Sequence, residues 1–579
     1  MRRLLALLTG LIYLNVSSAI FCPLYGPSFP AATNLSDSTT IQRALKTLKA
    51  LIDIGFETES SSSGPVDPTA ANAIQIFSTE DTAQPLFEYY RNGNTSSPTG
   101  VQDIDGDTVF RIASISKVIT AYLILIELGD AHWSTRITDV VPELKGRQKN
   151  NDNPIDNVEW EDVTLGALAG QISGVISNLF SFPLPFQQDG TRFGLAPLEW
   201  EEMPCRIDLV NGTTCNREET FAALDNRHPI FAPNTKPVYG NIPFMLLGFA
   251  LESLTGKTYE ELVYSALGGP LGLTATTVRA PDDSKGVIPV NGTASWWSVD
   301  LGVVTPTGGI YASLNDLSRI GRSILNSTIL DANTTRGWLK PTSFTSDLKG
   351  AIGRPWEIYR DVDVVPNRGV DIFCKAGDFG SYHTYMCLIP DYNIGFTTAI
   401  AGTASHDWLD RLIVETLLPA LEAAAKEQAD AAYSGTYKTF DGLNTTMTLT
   451  IDEDLPGLGV IEWINNGTDV RELFSGLPGG ILAGVLAGDV TKESIRILPT
   501  NLERYTENGT QIAWRALLTS SLIPEKHGPF SACGSWSSVD AIAYGEYSID
   551  EVLFTLGQDG KAISVSPRVF KTVYEKQAQ

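Results

Sequence analysis

A serine and a lysine three residues apart, Ser114 and Lys117, stand near the start of the stretch RIASISKVITAYLILIELG, residues 111–129. From Ile115 onward this stretch is apolar on nearly every side, the pattern of a fully buried helix. An ammonium is costly to bury unpaired, so a lysine in that setting implies a partner or a task. Residues at i and i+3 share a helix face, which lets the two side chains meet. At a helix start, N–H groups and the helix dipole stabilise negative charge. That suits a serine nucleophile and its oxyanion. Desolvation lowers the pKa of a lysine, toward the range where it accepts or relays the serine proton. The competing reading is a helix-capping serine beside a lysine whose head reaches solvent.

Two further patches carry chemistry. VYGNIPFMLLG offers Tyr239 and Asn241 ahead of a second apolar helix. A tyrosine held ionised or hydrogen-bonded near a lysine serves as a general base, and an asparagine amide positions substrate. FCKAGDFGSYHTYMCLIP places Lys375 and Gly377 on a strand that runs into a glycine-containing turn. Glycine lets a substrate approach the backbone closely, and lysine adds positive charge. Taken singly, each patch has an ordinary structural explanation.

These residues need elements to hold them. IQRALKTLKALIDIG has helical spacing, and AIQIFST and PLFEYY read as strands. Residues 145–235 are rich in turns and short helices. Strand signals return through KAGDFGSYHTYMCLIPDYNIGFTTAI, and HDWLDRLIVETLLPALEAAAKEQA reads as a long helix. Beyond it come MTLTI, GVIEWI, SIRILP, QIAWRALL, EVLFTL and AISVS, short β-rich runs separated by Gly, Asn and Asp. The expected organisation is a leader over 1–19, a first domain over 20–430 and a separate all-β domain, barrel or sandwich, over 432–579.

The chain has 579 residues, too many for one ordinary domain, and a formal net charge of -25. Such a charge repels a polyanion, so no nucleic acid is expected as partner, and it disfavours docking on an anionic membrane. The opening MRRLLALLTGLIYLNVSSAIF has two arginines, a short apolar run and small residues at Ser17 and Ala19. It reads as a secretory signal peptide cut after Ala19. No later stretch is long and apolar enough to span a bilayer. Glycosylation sequons at Asn34, Asn94, Asn211, Asn291, Asn326, Asn333, Asn444, Asn466 and Asn508 agree with a secreted, extracellular glycoprotein.

An even number of cysteines in an exported chain implies disulfides. Cys374 and Cys387 are equidistant from a turn centred between Gly380 and Ser381, so a hairpin would set them opposite each other, about 5.5 Å apart at Cα. Cys205 and Cys215 close a short loop and are expected to pair. Cys22 and Cys533 are left for each other by elimination. The histidines have no ligand spacing, and no metal or cofactor is expected.

In this order, Ser114-Ile-Ser-Lys117, Tyr239-Gly-Asn241 and Lys375-Ala-Gly377 resemble the S-x-x-K, Y-x-N and K/H-x-G signature of the serine β-lactamase and penicillin-binding-protein superfamily, on its class C side. ELGDAHWSTRITDVVPEL and TPTGGIYASLNDLSRIGRSIL are similar to its connecting stretches, and the resemblance covers roughly 70–420. It implies an α+β fold: an antiparallel sheet flanked by helices, with a helical lobe and the site between them. It also implies roles. Ser114 is the acylated nucleophile, and Lys117 and Tyr239 share acid–base work. Asn241 and Lys375 orient substrate, and the amides of Ser114 and Asp378, after Gly377, form the oxyanion hole. YSGTYKT at 433–439 is similar to the opening of the lipocalin-like all-β domain that follows many such hydrolases.

Two departures bear on substrate. Ala376 stands where relatives often carry a hydroxyl that helps bind a substrate carboxylate, and Gln171-Ile-Ser173-Gly174 replaces an H-T-S-G stretch. The expected function is therefore a secreted serine hydrolase of a small ester or amide, with β-lactam cleavage slow or absent. An acyltransferase of specialised metabolism on the same machinery and a non-catalytic binding protein are the alternatives. The pocket wall is expected from the 180–225 region and from Trp296 and Trp297, with ordinary packing as the other reading of that pair.

Overall fold

The computed structural model describes residues 23–578 apart from 81–83, 95–96, 148–152, 180–189, 198–214, 226, 291–293, 366–367, 404–406, 441, 454, 473–494, 508, 519–534 and 538. The leader, Cys22, Cys205, Cys533 and the sequons at Asn211, Asn291 and Asn508 lie outside the described residues. So does most of the expected 180–225 wall.

The chain divides into two compact units. One comprises 31–364 and 370–424, the other 1–30, 365–369 and 425–579. Residues 23–30 thus belong with the C-terminal unit, and the division falls inside a long helix.

The first unit is built on an eight-stranded sheet. Its strands are β1 (Ala71–Ser78), β2 (Phe87–Arg91), β3 (Ser343–Phe344), β4 (Gly350–Ile352), β5 (Glu357–Asp361), β6 (Val370–Phe379), β7 (Tyr382–Ile389) and β8 (Ile394–Ala401), in spatial order β2-β1-β8-β7-β6-β5-β4-β3. Every pairing is antiparallel. β1 and β8 are buried along their whole length, which requires cover on both faces. The helices that position the site are α1 (Thr39–Thr58), α2 (Ser116–Glu127), α3 (Ile242–Thr255), α4 (Leu314–Leu325) and α5 (Asp407–Tyr433). α4 lies on β1 and β8, and Trp408 of α5 packs edge-on against Phe56 of α1 at 5.4 Å. α2 is buried from Ser116 through Leu125, and α3 from Ile242 through Leu251. Their all-round apolar sequences are thus spent in one core.

β6 and β7 form the hairpin that the cysteine spacing required. Cys374 pairs with Cys387, Phe379 pairs with Tyr382, and a two-residue turn at Gly380-Ser381 joins them. Gly380 has φ 61°, a value glycine adopts without strain. The two cysteines form a disulfide with Cα atoms 4.1 Å apart, nearer than expected, as in the closely spaced class of cross-strand pair. Cys215 is disulfide-bonded, to a partner outside the described residues.

The second unit contains β9 (Gly435–Lys438), β10 (Thr446–Thr450), β11 (Leu458–Asn465), β12 (Ile495–Thr506), β13 (Gly509–Leu518), β14 (Glu551–Leu556), β15 (Ala562–Pro567) and β16 (Tyr574–Lys576). Each pairs antiparallel with the next, and β16 pairs back onto β9. The eight strands therefore close into an up-and-down barrel. Closure leaves no edge strand in the ring. Trp463, Trp514, Tyr437, Phe554 and Tyr574 are fully buried in this unit.

Candidate active site

Ser114 does not cap α2. It sits one turn earlier, in a 3-10 turn over Ala113–Ile115, and Ala113 before it has φ 44°. A left-handed alanine is an uncommon, strained conformation, and here it brings the Ser114 side chain to Lys117. Lys117 is fully buried, and its Nζ donates to Ser114 Oγ at 2.9 Å, Asn241 Oδ1 at 2.7 Å and the Thr307 carbonyl at 2.8 Å. Three donors meet three neutral acceptors. Burial is the main influence on this ammonium, and despite the opposing field of Tyr239 it brings the pKa down to about 8.

Tyr239 donates to Ser114 Oγ at 2.6 Å. Its ring stands between two lysines, with Lys117 Nζ 4.9 Å and Lys375 Nζ 5.0 Å from the centroid. Burial opposes ionisation of the phenol, but the Lys117 charge, then that of Lys375, outweighs it and brings the pKa down to about 8. Tyr239 keeps 46% of its surface exposed, so it is reachable from solvent.

The loop bearing Tyr239 is clamped by the stretch that departs from H-T-S-G. Gln171 Oε1 accepts from the Gly240 amide at 2.9 Å, and the Gln171 carbonyl accepts from Val238 N at 2.8 Å. The Ser177 carbonyl accepts from Asn241 N at 2.7 Å, and Asn241 Nδ2 donates to Asn178 Oδ1 at 2.7 Å. Asn241 therefore gives its oxygen to Lys117 and its nitrogen to Asn178.

Gly377 lets β6 run against the nucleophile turn. A Cβ there would come within 2.3 Å of the Ile112 carbonyl and 3.1 Å of the Ser114 amide. β5 ends its pairing at Glu357 opposite Cys374, and Glu357 Oε2 then accepts from the Ala376 amide at 2.9 Å. Amides two residues apart leave a strand by the same edge. The Asp378 amide therefore emerges on that edge, beyond β5 and beside the Ser114 turn. The Asp378 carboxylate pairs with His383 Nδ1 at 2.7 Å across the hairpin.

Lys375 is buried, and its ammonium is ion-paired to Glu357 and donates to the Ala376 carbonyl at 2.8 Å. Burial alone would lower its pKa, but Tyr239 and Glu357 outweigh it and raise it. Lys375, expected to orient substrate, thus has its charge engaged by a carboxylate of the neighbouring strand. Glu357, Asn178 and the Thr307 carbonyl were not anticipated. Glu357 lies 18 residues before Lys375, and only strand pairing brings the two together.

Ser114 and Tyr239 each line a different hollow. One, of about 270 Å³, is lined by Ser114, Asn178, Asn241, Leu301, Val304 and Phe379. The other, of about 680 Å³, is lined by Tyr239, Gln171, Lys236, Phe344 and Glu357, among others. Trp297 lines neither; it is fully buried against Tyr311 and Tyr382. Trp296 supports the first hollow from behind, its ring 4.9 Å from Phe379. Buried Arg111 holds this segment by donating to the carbonyls of Trp296, Trp297 and Val299 at 2.8, 3.1 and 2.8 Å.

Residues 86–415 match the Beta-lactamase family. The chain belongs to the β-lactamase family. Residues 425–578 match a second family, described as "Beta-lactamase-like-like, C-terminal domain". A Beta-lactamase-like protein of Arthroderma benhamiae is 30% identical over 94% of each chain. A probable hydrolase of Phoma sp. is 25% identical over 93% of this chain and 89% of its own. One of Cochliobolus lunatus is 27% identical over 70% and 68%. The β-lactamase fold thus accounts for the first unit, and two of these relatives are named as probable hydrolases. No group of His, Cys, Asp or Glu among the described residues is arranged to hold a metal, and no described helix is long and apolar enough to cross a membrane.

Proposed function

We propose that the protein is a serine hydrolase that cleaves a small, uncharged ester or amide through an acyl-enzyme on Ser114. The observation that carries this reading is the convergence of Lys117 Nζ at 2.9 Å and Tyr239 Oη at 2.6 Å on one hydroxyl, Ser114 Oγ. The pKa of each partner is brought down to about 8. A base in that range accepts a serine proton at the pH of the cell exterior without being protonated throughout. The two groups act as a coupled pair, so the proton belongs to the pair.

In the proposed reaction Ser114 Oγ attacks the carbonyl carbon as its proton passes to the Tyr239–Lys117 pair. The Ser114 and Asp378 amides hold the oxyanion. Tyr239 then returns the proton to the leaving oxygen or nitrogen, so the leaving group departs on the Tyr239 side, into the larger hollow. The acyl group stays in the smaller one, beside Asn241, Asn178 and Phe379. Water, activated by the same pair, releases the acid and restores Ser114.

Two features support an uncharged substrate. Ala376 offers no hydroxyl to a carboxylate, and the charge of Lys375 is engaged by Glu357. A charge-assisted hydrogen bond absent from the complex is worth about 1.5–3 kcal/mol. The sequon residues Asn34, Asn94, Asn326, Asn333, Asn444 and Asn466 are all exposed, which supports secretion as a glycoprotein.

A substrate panel tests the reading: neutral aryl esters and anilides, nitrocefin, and neutral esters with added alcohols, each against wild type and Ser114→Ala. The expected result is ester cleavage with nitrocefin turnover slow or absent, lost in Ser114→Ala. Efficient nitrocefin turnover would overturn the substrate class. Full activity in Ser114→Ala would overturn the mechanism.

A further inference from the structure

We infer that Glu357 is a positioning residue for this reaction: its two carboxylate oxygens fix the Lys375 ammonium beside Tyr239 and the Ala376 amide on the strand edge that leads to Asp378. The inference rests on the reading of Tyr239 as acid and base. Oε1 faces Lys375 Nζ, while Oε2 accepts from the Ala376 amide at 2.9 Å. One carboxylate thus ties a cation to a strand edge, and both ends of that tie touch the site. Lys375 Nζ lies 5.0 Å from the Tyr239 ring centroid, and Glu357 itself lines the larger hollow with Tyr239. Residue 357 also closes the β5 ladder, so the tie replaces the backbone pairing that ends there.

The charges around Lys375 leave little else to hold it. Tyr239 and Glu357 are the nearest groups that favour its charge, with Tyr359 contributing from β5. Lys117, across the Tyr239 ring, is of like charge. Tyr359 in turn faces Tyr385 on β7 and feels Asp410 on α5. No other carboxylate is ion-paired to Lys375 among the described residues. A buried ammonium without its carboxylate gives up its proton more readily. With Glu357 neutralised, Lys375 loses the carboxylate that anchors it beside Tyr239, and Lys117 loses a negative charge that helps hold its proton.

The test is Glu357→Gln, which keeps the shape of the side chain and removes its charge, with Glu357→Asp as the conservative variant. Phenolate formation by Tyr239 is followed by absorbance near 295 nm, as the difference from the same protein carrying Tyr239→Phe. The pH profile of Ser114 labelling by a fluorophosphonate is measured alongside. In Glu357→Gln the Tyr239 titration and the acidic limb of labelling should both move to lower pH, by about one unit for loss of a nearby negative charge, because the carboxylate helps Lys117 hold its proton. Labelling near neutral pH should slow roughly tenfold, and Glu357→Asp should recover part of the shift. An unmoved titration, a shift to higher pH, or labelling as fast as in the wild type overturns the inference, whatever the melting temperature does. Absence of labelling at Ser114 in the wild type would instead overturn the proposed function, and the absorbance titration still decides the role of Glu357.

Discussion

Lys117 and Lys375 are both buried, both stand about 5 Å from the ring of Tyr239, and their pKa values are driven in opposite directions. Lys117 has three neutral acceptors and falls to about 8; Lys375 has a carboxylate and rises. Desolvation acts on both, so the partner decides the outcome. The first lysine is built to exchange a proton, the second to keep one. Tyr239, between them, gains a field from each, but only Lys117 also shares the serine with it.

This contrast is open to breaking. Lys117→Met should cost most. Losses on the order of 10⁴ or more in Ser114 acylation follow when a catalytic unit is broken. The absorbance titration of Tyr239 should move upward in the same variant, because the strongest cation acting on the phenol is gone. Retained acylation in Lys117→Met would show that the two lysines do not differ as described.

Tyr239→Phe should lower the rate by roughly 10² to 10⁴, the usual worth of general acid–base help. Here the acidic limb should move down. Tyr239 raises the Lys117 pKa, so its removal lets the ammonium lose its proton at lower pH. Opposite movements in the two variants would sharpen the assignment, and parallel movements would contradict it.

Cys374 and Cys387 clamp the strand that carries Lys375. Replacing both with serine should lower stability by about 3 kcal/mol, the loop-closure value for a ring of this size, read from a urea melt. Lys375→Met should have the smallest effect on stability, about 2 kcal/mol. Breaking a fully buried ion pair costs roughly 3–5 kcal/mol, and Glu357 retains 22% side-chain exposure that softens the loss. A stability gain in Lys375→Met would mean that the pair is held against its own desolvation cost.

Much of this arrangement was legible in the residue order. The buried helices α2 and α3, the hairpin register through Cys374 and Cys387, and the meeting of Ser114 with Lys117 follow from spacing, whereas the place of Tyr239 and Asn241 beside them is what the resemblance to the family implied. The barrel strands followed from turn residues between β-rich runs, whereas closure of β16 onto β9 is a long-range pairing that no local pattern encodes. What stayed hidden has the same origin. Glu357 meets Lys375 only because β5 lies beside β6, and Asn178 meets Asn241 through a loop of irregular backbone. The left-handed turn at Ala113 is set by its surroundings, since alanine does not favour it. Trp297, adjacent to Trp296 in sequence, parts from it at a left-handed turn, Trp296 having φ 65°.

The central claim is tested most directly by rapid quenching of the wild type with a neutral, activated ester, followed by intact mass measurement and peptide mapping. The account predicts a stoichiometric acyl adduct on Ser114, formed faster as pH rises toward 8 and absent in Ser114→Ala. No adduct during turnover, or an adduct on any other residue, would contradict it.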